Sequence, residues 1–198
     1  MSIESSRPIL QIIIASTRPG RVGLPVGTWV AEAARLHGTF EVEVSDLAEV
    51  DLPLFNEPNH PRLGQYEHDH TRRWSETIGH SDAFVFVFPE YNYGYTAPLK
   101  NALDYLSAEW AYKPVVLVSY GGVSGGLRAA TGLQPVLTGL RLLTTAGALP
   151  IPGVSSHVRE GVFSPTDALT GQLDTILTEL ARITPIAALL RPTAVPPR

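Results

Sequence analysis

Three stretches of this chain are apolar without a wet face. Ile9–Ala15, broken only by Gln11, is one; Ala83–Phe88 and Val115–Val118 are the others. A strand with one side in water alternates polar and apolar residues. These do not, so both of their faces must be covered, which is the condition of strands inside a parallel sheet. Parallel strands cannot be joined by tight hairpins, and each needs a crossover, usually a helix.

The intervening segments supply those crossovers. Val26, Trp29, Val30, Ala33, Ala34 and His37 recur at helical spacing, with Pro25 in the first turn and Gly38 as the C-cap. Phe40, Val42 and Val44 alternate with Glu41, Glu43 and Ser45, which marks a half-exposed strand near an edge. Asp51–Arg62, with three prolines, reads as a loop. A helix is expected over Gln65–Ile78, stopped by Gly79, and a short one over Pro98–Ser107. Leu127–Thr145 reads as mostly helical, with Gly132 and Pro135 predicting a kink or a late start. Ala148–Ile151 is a short fifth strand. Ser164-Pro165-Thr166-Asp167 then signals a helix start, with Ser164 as N-cap, and Leu169, Leu173, Ile176, Leu177 and Leu180 form its apolar stripe. Pro185 should end or kink that helix, and residues 191–198 read as a frayed tail.

Strict alternation of strands and helices gives an α/β chain with right-handed crossovers and helices on both sheet faces. The five-strand version is the flavodoxin-like three-layer α/β/α sandwich, a parallel sheet of order 2-1-3-4-5. One domain over residues 1–198 is expected. With 44% hydrophobic and 17% charged residues the chain folds rather than staying disordered. A net charge of -4 speaks against nucleic acid as a partner. The polar segment Met1–Arg7 carries no apolar leader pattern, and no run is long enough to span a bilayer, so no membrane partner and a cytoplasmic location are expected. The absence of cysteine suits a reducing compartment and removes thiolate chemistry.

In such a sheet, ligands bind where loops leave the carboxyl ends of the strands. The unusual residues fall there. Ala15-Ser16-Thr17-Arg18-Pro19-Gly20-Arg21-Val22-Gly23 sets two hydroxyls, two guanidiniums and two glycines before a helix, a setting for a mononucleotide phosphate. The Gly-x-x-x-x-Gly-Lys-Ser/Thr spacing of a P-loop is missing. Pro89–Pro98 holds three tyrosines and Asn92, flat apolar surface with polar tips suited to a planar heterocycle or to a subunit interface. Ser119–Gly126 has four glycines in its last six residues, allowing close approach of a ring to the backbone.

These loops resemble the NADPH-dependent FMN reductase family, which includes quinone, azo-dye and chromate reductases. The most specific likeness is Pro89-Glu90-Tyr91-Asn92 followed by Pro98-Leu99-Lys100-Asn101-Ala102-Leu103-Asp104, and it extends over roughly Ile9–Pro152. The first loop departs, having Ala15 and Val22-Gly23 where many members have Gly and a Ser or Asn. The resemblance implies that Ser16, Arg18, Arg21, Val22 and Gly23 hold the FMN phosphate. It implies that Pro89, Glu90, Tyr91 and Asn92 run along the isoalloxazine, and that Tyr120, Gly121 and Gly122 meet its pyrimidine edge. It further implies hydride transfer from NADPH or NADH to the flavin with no acid–base residue of the protein, onward electron delivery to a quinone, free flavin or similar acceptor, and a homodimer or homotetramer. Lys100, Asn101 and Asp104 are expected to brace a loop or an interface.

Three other readings compete. A flavodoxin-type electron carrier or redox sensor would use the same loops but usually presents a strongly acidic face. Gly122-Val123-Ser124-Gly125-Gly126 spells the nucleophile pattern of a serine hydrolase. Only His157 follows Ser124, however, and no carboxylate lies between them. His60, His68, Asp69 and His70 could be drawn as a metal site, yet residues two apart on a helix diverge, and no metal is expected. Trp74, Trp110 and Tyr112 have no evident core position, and the last two could cover an interface or roof the flavin.

Overall fold

In the computed structural model, which describes residues 7–191, strands and helices alternate through most of the chain. They are β1 (Ile9–Ile14), α1 (Gly23–His37), β2 (Glu41–Asp46), α2 (Leu47–Val50), α3 (Asp69–His80), β3 (Ala83–Pro89), α4 (Ala97–Asp104), β4 (Pro114–Tyr120), α5 (Leu127–Gly139), β5 (Leu143–Ile151), β6 (Val158–Arg159), β7 (Val162–Phe163) and α6 (Asp167–Ala188). The five long strands form one sheet of order β2-β1-β3-β4-β5, and every pairing is parallel.

Period-two alternation sorts the apolar side chains into two layers. Leu10, Ile12, Val85, Val87, Val116 and Val118 face α1 and α6. Ile13, Phe84, Phe86, Phe88 and Leu117 face the opposite way, onto Trp74 and Ile78 of α3, Leu99 and Leu103 of α4, and Leu133 and Leu137 of α5. Every residue of β3 and β4 is buried, as unalternated runs require. Gln11, the one polar residue of the first run, is also buried; its amide pairs with Ser45 and Glu43 across β2.

Trp110 and Trp74 are core residues, which corrects the expectation that Trp110 covers an interface or roofs the cofactor. Trp110 is fully buried against Phe84, Phe86 and Trp74. Both indole N–H groups are satisfied by carbonyls of α4, Trp74 by Ala102 at 2.9 Å and Trp110 by Leu103 at 3.2 Å.

Several boundaries differ from those read in the sequence, each for a local reason. The helix α3 begins only at Asp69, because the buried Glu57 carboxylate accepts from the amides of Glu67 and His68 and holds them outside it. It also runs past Gly79 to His80. The helix α5 starts at once at Leu127 and continues through Pro135, but it stops at Gly139 and gives way to a longer β5. The cap of α6 is Thr166, whose hydroxyl accepts from the Leu169 amide, rather than Ser164, and α6 also continues past Pro185. The β6–β7 hairpin, turned by Glu160 and Gly161 in left-handed conformations, and the one-turn α2 were not anticipated. Of the expected tail, Arg191 is tied to Asp82 by two hydrogen bonds of 2.9 Å, and the rest lies outside the described residues.

Candidate functional site

At the carboxyl edge of the sheet, β1 ends with the Ala15 amide donating to Val87 O, and the chain turns away from the sheet. Ser16 is buried at this turn, and Arg18 to Arg21 close a tight loop with Gly20 at φ 68°. Val22 caps α1 without a side-chain hydrogen bond, so the positive end of the helix is open. Among the described residues, the amides of Thr17, Arg18 and Gly20 have no backbone acceptor. The two arginines differ. Arg18 is exposed, and no described side chain pairs with it. Arg21 is ion-paired with Asp46, whose other oxygen accepts from the Ala48 amide at 3.0 Å and starts α2. The Arg21 Nε is buried without a partner.

Gly23 is required by close approach. A Cβ there would overlap Tyr120 Oη and Ser16 Cβ. The Tyr120 hydroxyl is itself buried and unpartnered, and burial pushes its ionisation well above the usual phenol range.

The second loop is a hairpin. Tyr91 and Gly94 exchange two backbone hydrogen bonds of 2.9 Å, and Asn92 (φ 49°) and Tyr93 (φ 66°) both turn left-handed between them. Thr96 Oγ1 donates to Ala15 O at 3.0 Å, and Tyr91 Oη lies 3.2 Å from Ser16 Oγ. The hairpin is thereby tied to the phosphate-type loop on its left.

On its right it is tied to the glycine loop by Glu90. The Glu90 amide donates to Tyr120 O at 2.9 Å. Its carboxylate accepts from Ser124 Oγ (3.0 Å), Arg128 N (3.1 Å), Ala129 N (3.4 Å) and the Arg128 guanidinium (2.9 Å). Burial raises the carboxyl's pKa, but these donors outweigh it and hold the group below the ordinary range. The side chain is thus committed to the fold rather than free to face water. The Arg128 guanidinium lies over the Tyr93 ring at 4.4 Å.

The three loops enclose a cleft of about 500 Å³. Of the twelve residues the sequence singled out, ten line it: Ser16, Arg18, Arg21, Val22, Pro89, Glu90, Tyr91, Tyr120, Gly121 and Gly122. Gly23 packs behind its wall, and Asn92 stands at the exposed hairpin tip, off the lining. A fourth wall, Gly153–Ser156, was missed. It is hydrogen-bonded to the glycine loop by Gly153 N to Gly122 O (2.9 Å) and Val154 N to Gly121 O (3.2 Å). Its sequence signal was slight: one glycine and two serines after the fifth strand. A roomier cleft of about 610 Å³ lies at the far ends of α4 and α5, lined by the Pro-rich loop.

The remaining candidates resolve as structure. Asn101 braces the Pro-rich loop, donating to Pro53 O and accepting from Phe55 N, while Lys100 pairs with Asp104 one turn away. Ser124 donates to Glu90 rather than to a histidine. His68 and His70 do not diverge as expected. His68 sits outside the helix as its N-cap, and the two rings stack at 5.1 Å, both bonded to Asn56. No group of metal-binding residues is found among the described residues. No described helix is long and apolar enough to cross a membrane.

Comparison with known proteins agrees with this geometry. Residues 9–155 match the NADPH-dependent FMN reductase family. The chain is 38% identical over 170 residues to an NAD(P)H-dependent FMN reductase of Schizosaccharomyces pombe, covering 84% of each. It is 36% identical over 153 residues to one of Saccharomyces cerevisiae, covering 71% of this chain and 80% of that one. In fold it is similar to the flavoenzyme NAD(P)H:(acceptor) oxidoreductase FerB of Paracoccus denitrificans. That match has a TM-score of 0.71 at 21% identity and covers 88% of this chain and 98% of the other. The match spans all three cleft loops and the five strands that carry them, and the chain belongs to the NADPH-dependent FMN reductase family.

Proposed function

We propose that this chain is an FMN-dependent NAD(P)H oxidoreductase that delivers electrons to a quinone, free flavin or similar small acceptor. The observation that carries this reading is the cleft itself. It joins a loop of unengaged amides and an exposed Arg18 at an open helix N-terminus to a tyrosine and glycine slot, within a chain of this family. The donor set fits a phosphate, since amides, guanidiniums and the Ser16 hydroxyl can all donate to it. The orphaned Arg21 Nε and Tyr120 Oη are two buried polar groups lining the same cleft, where a polar ligand would satisfy them. The slot between Pro89–Tyr91 and Tyr120–Gly122 offers flat surface and close backbone, as a planar ring requires.

Ser16, Arg18, the Arg21 loop and the packing of Gly23 would hold the phosphate of FMN, and Pro89 to Tyr91 with Tyr120 to Gly122 would seat its ring. Bound there, FMN supplies the redox chemistry, taking a hydride from a nicotinamide and passing electrons on. The chain's own work is to bind and orient, and to present amide donors along one ring edge. Glu90 is saturated with donors and takes no proton-transfer role. We further propose a homodimer or homotetramer, with exposed Tyr91 and Tyr93 at the cleft mouth as part of the covered surface, and a cytoplasmic location suited to a chain without cysteine.

The test is a spectrum followed by turnover. Purified protein incubated with FMN should show flavin bands that bleach with NADPH under anaerobic conditions, and should oxidise NADPH steadily when quinone is added. Bands that resist NAD(P)H would instead favour an electron carrier, and no bands at all would defeat the reading.

A further inference from the structure

Glu90 is mostly covered at the junction of three elements, its side chain only 10% exposed, and the direct reaction has no use for it. Its contacts show what it does. The glycine loop 121–126 has few side chains with which to hold itself. Toward β5 it is fastened by backbone bonds: Gly121 N to Ile151 O, Ile151 N to Gly125 O, Gly153 N to Gly122 O and Val154 N to Gly121 O. Toward β3, beyond the ladder, the fastening is the Glu90 carboxylate, which takes the Ser124 hydroxyl from the loop and the Arg128 and Ala129 amides from the first turn of α5. The helix has no cap of its own. Its N-cap is Gly126, at φ 86° and with no side chain to offer. A carboxylate from a neighbouring loop therefore does what a local Ser or Asp usually does, satisfying amides that would otherwise be orphaned and matching the positive helix end.

The same carboxylate anchors the hairpin. Its second oxygen holds the Arg128 guanidinium, and the guanidinium in turn lies over the Tyr93 ring. Glu90 thus fixes both sides of the slot: the hairpin carrying Tyr91 and the loop carrying Gly121 and Gly122. We propose that Glu90 is a positioning residue that sets the width of the flavin slot by clamping hairpin, glycine loop and α5 together. The proposal rests on the FMN reading for its ligand, but the clamp itself is a property of the chain.

The experiment compares wild type with Glu90→Ala, Glu90→Gln, Ser124→Ala and Arg128→Met, measuring amide hydrogen exchange, FMN affinity and the visible circular dichroism of bound FMN. In Glu90→Ala, exchange at Arg128, Ala129 and residues 121–126 should quicken by about tenfold or more, because those amides lose their acceptor. FMN should bind about tenfold more weakly, with a changed flavin dichroism, while exchange in β1 and β3 stays as in wild type. Glu90→Gln keeps an acceptor and should recover part of both effects. Ser124→Ala and Arg128→Met each remove one tie and should fall between. Unchanged exchange at 121–129 in Glu90→Ala overturns the clamp. Quicker exchange with unchanged FMN affinity and dichroism overturns the positioning role. If wild type itself binds no FMN, the flavin reading and the flavin-positioning role fail together, and the exchange data still decide whether the clamp exists. Should Glu90→Ala fail to fold, Glu90→Gln carries the same comparison.

Discussion

The two loops that face each other across the cleft are held in opposite ways. The glycine loop is fastened on both flanks, to residues 151–154 by backbone bonds and to Glu90 by a carboxylate. The loop from Ser16 to Gly23 keeps amides unengaged and an arginine exposed, and pairs Arg21 off with Asp46. One wall is finished within the protein and supplies shape; the other is left with spare donors and supplies affinity. A polar group kept unpaired near the surface costs little in water, but it is worth much once an anion arrives.

The sharpest way to break the finished wall is Gly126→Ala. A Cβ there would lie 2.7 Å from Ser119 Cβ and 2.8 Å from Tyr120 N, on a residue at φ 86°. Neither neighbour can move without disturbing β4. A loss of about 2–4 kcal/mol is expected, read by denaturant unfolding. No loss would mean that this loop is softer than its bonds imply.

The unfinished wall is separated by its two arginines. Arg21→Ala should cost stability as well as FMN affinity, because Asp46 is left buried without its partner; about 1–3 kcal/mol is expected in unfolding. Arg18→Ala should leave the unfolding midpoint in place and weaken FMN binding by about tenfold, the worth of one charge-assisted contact. Equal effects of both substitutions on stability would erase the distinction.

A further effect lies outside the cleft and is spread over a wide pH range. Lys113 is buried, with its ammonium donating to Ile78 O and Gly79 O at the end of α3. Burial pushes it down to about 8 from an ordinary 10.5. Between those values the unfolded chain binds more protons than the folded one, so stability should rise with pH through that window, by up to about 3 kcal/mol. Above pH 10 the raised phenols of Tyr66, Tyr105 and Tyr120 act in the other direction, since they ionise more readily unfolded. A stability profile that falls steadily from pH 8 upward would contradict the buried lysine.

How far the sequence reached can be judged from particular residues. That the strands lie inside a parallel sheet followed from Ile12, Phe86 and Val118 sitting in runs with no wet face, a pattern strong enough to survive any local detail. Three walls of the cleft were legible because glycine, tyrosine and arginine clusters are unusual just after strands. Gly153–Ser156 was not, since its role comes from two backbone bonds to the glycine loop that no composition records. Asp46 directly follows the alternating stretch Phe40–Ser45, and nothing local shows that it meets Arg21. Nothing local shows what the Glu57 and Glu90 carboxylates meet, because sequence carries no depth. The acceptors they provide, for α3 and α5, exist only after distant segments have met. The Trp110 misreading has the same cause: a 3-10 turn between α4 and β4 folds it inward, and no periodicity announces that turn.

The placement of the tryptophans gives the molecule an optical label for each of its outer layers. Trp74 and Trp110 are sealed side by side under α3 and α4, whereas Trp29 lies partly open on α1, against Phe163. Emission from the first pair reports the dry interior of one layer and stays out of reach of a dissolved quencher, while Trp29 reports the other layer and does not. Loosening on either side of the sheet would therefore be read in a different part of the same fluorescence spectrum, without a dye or a tag.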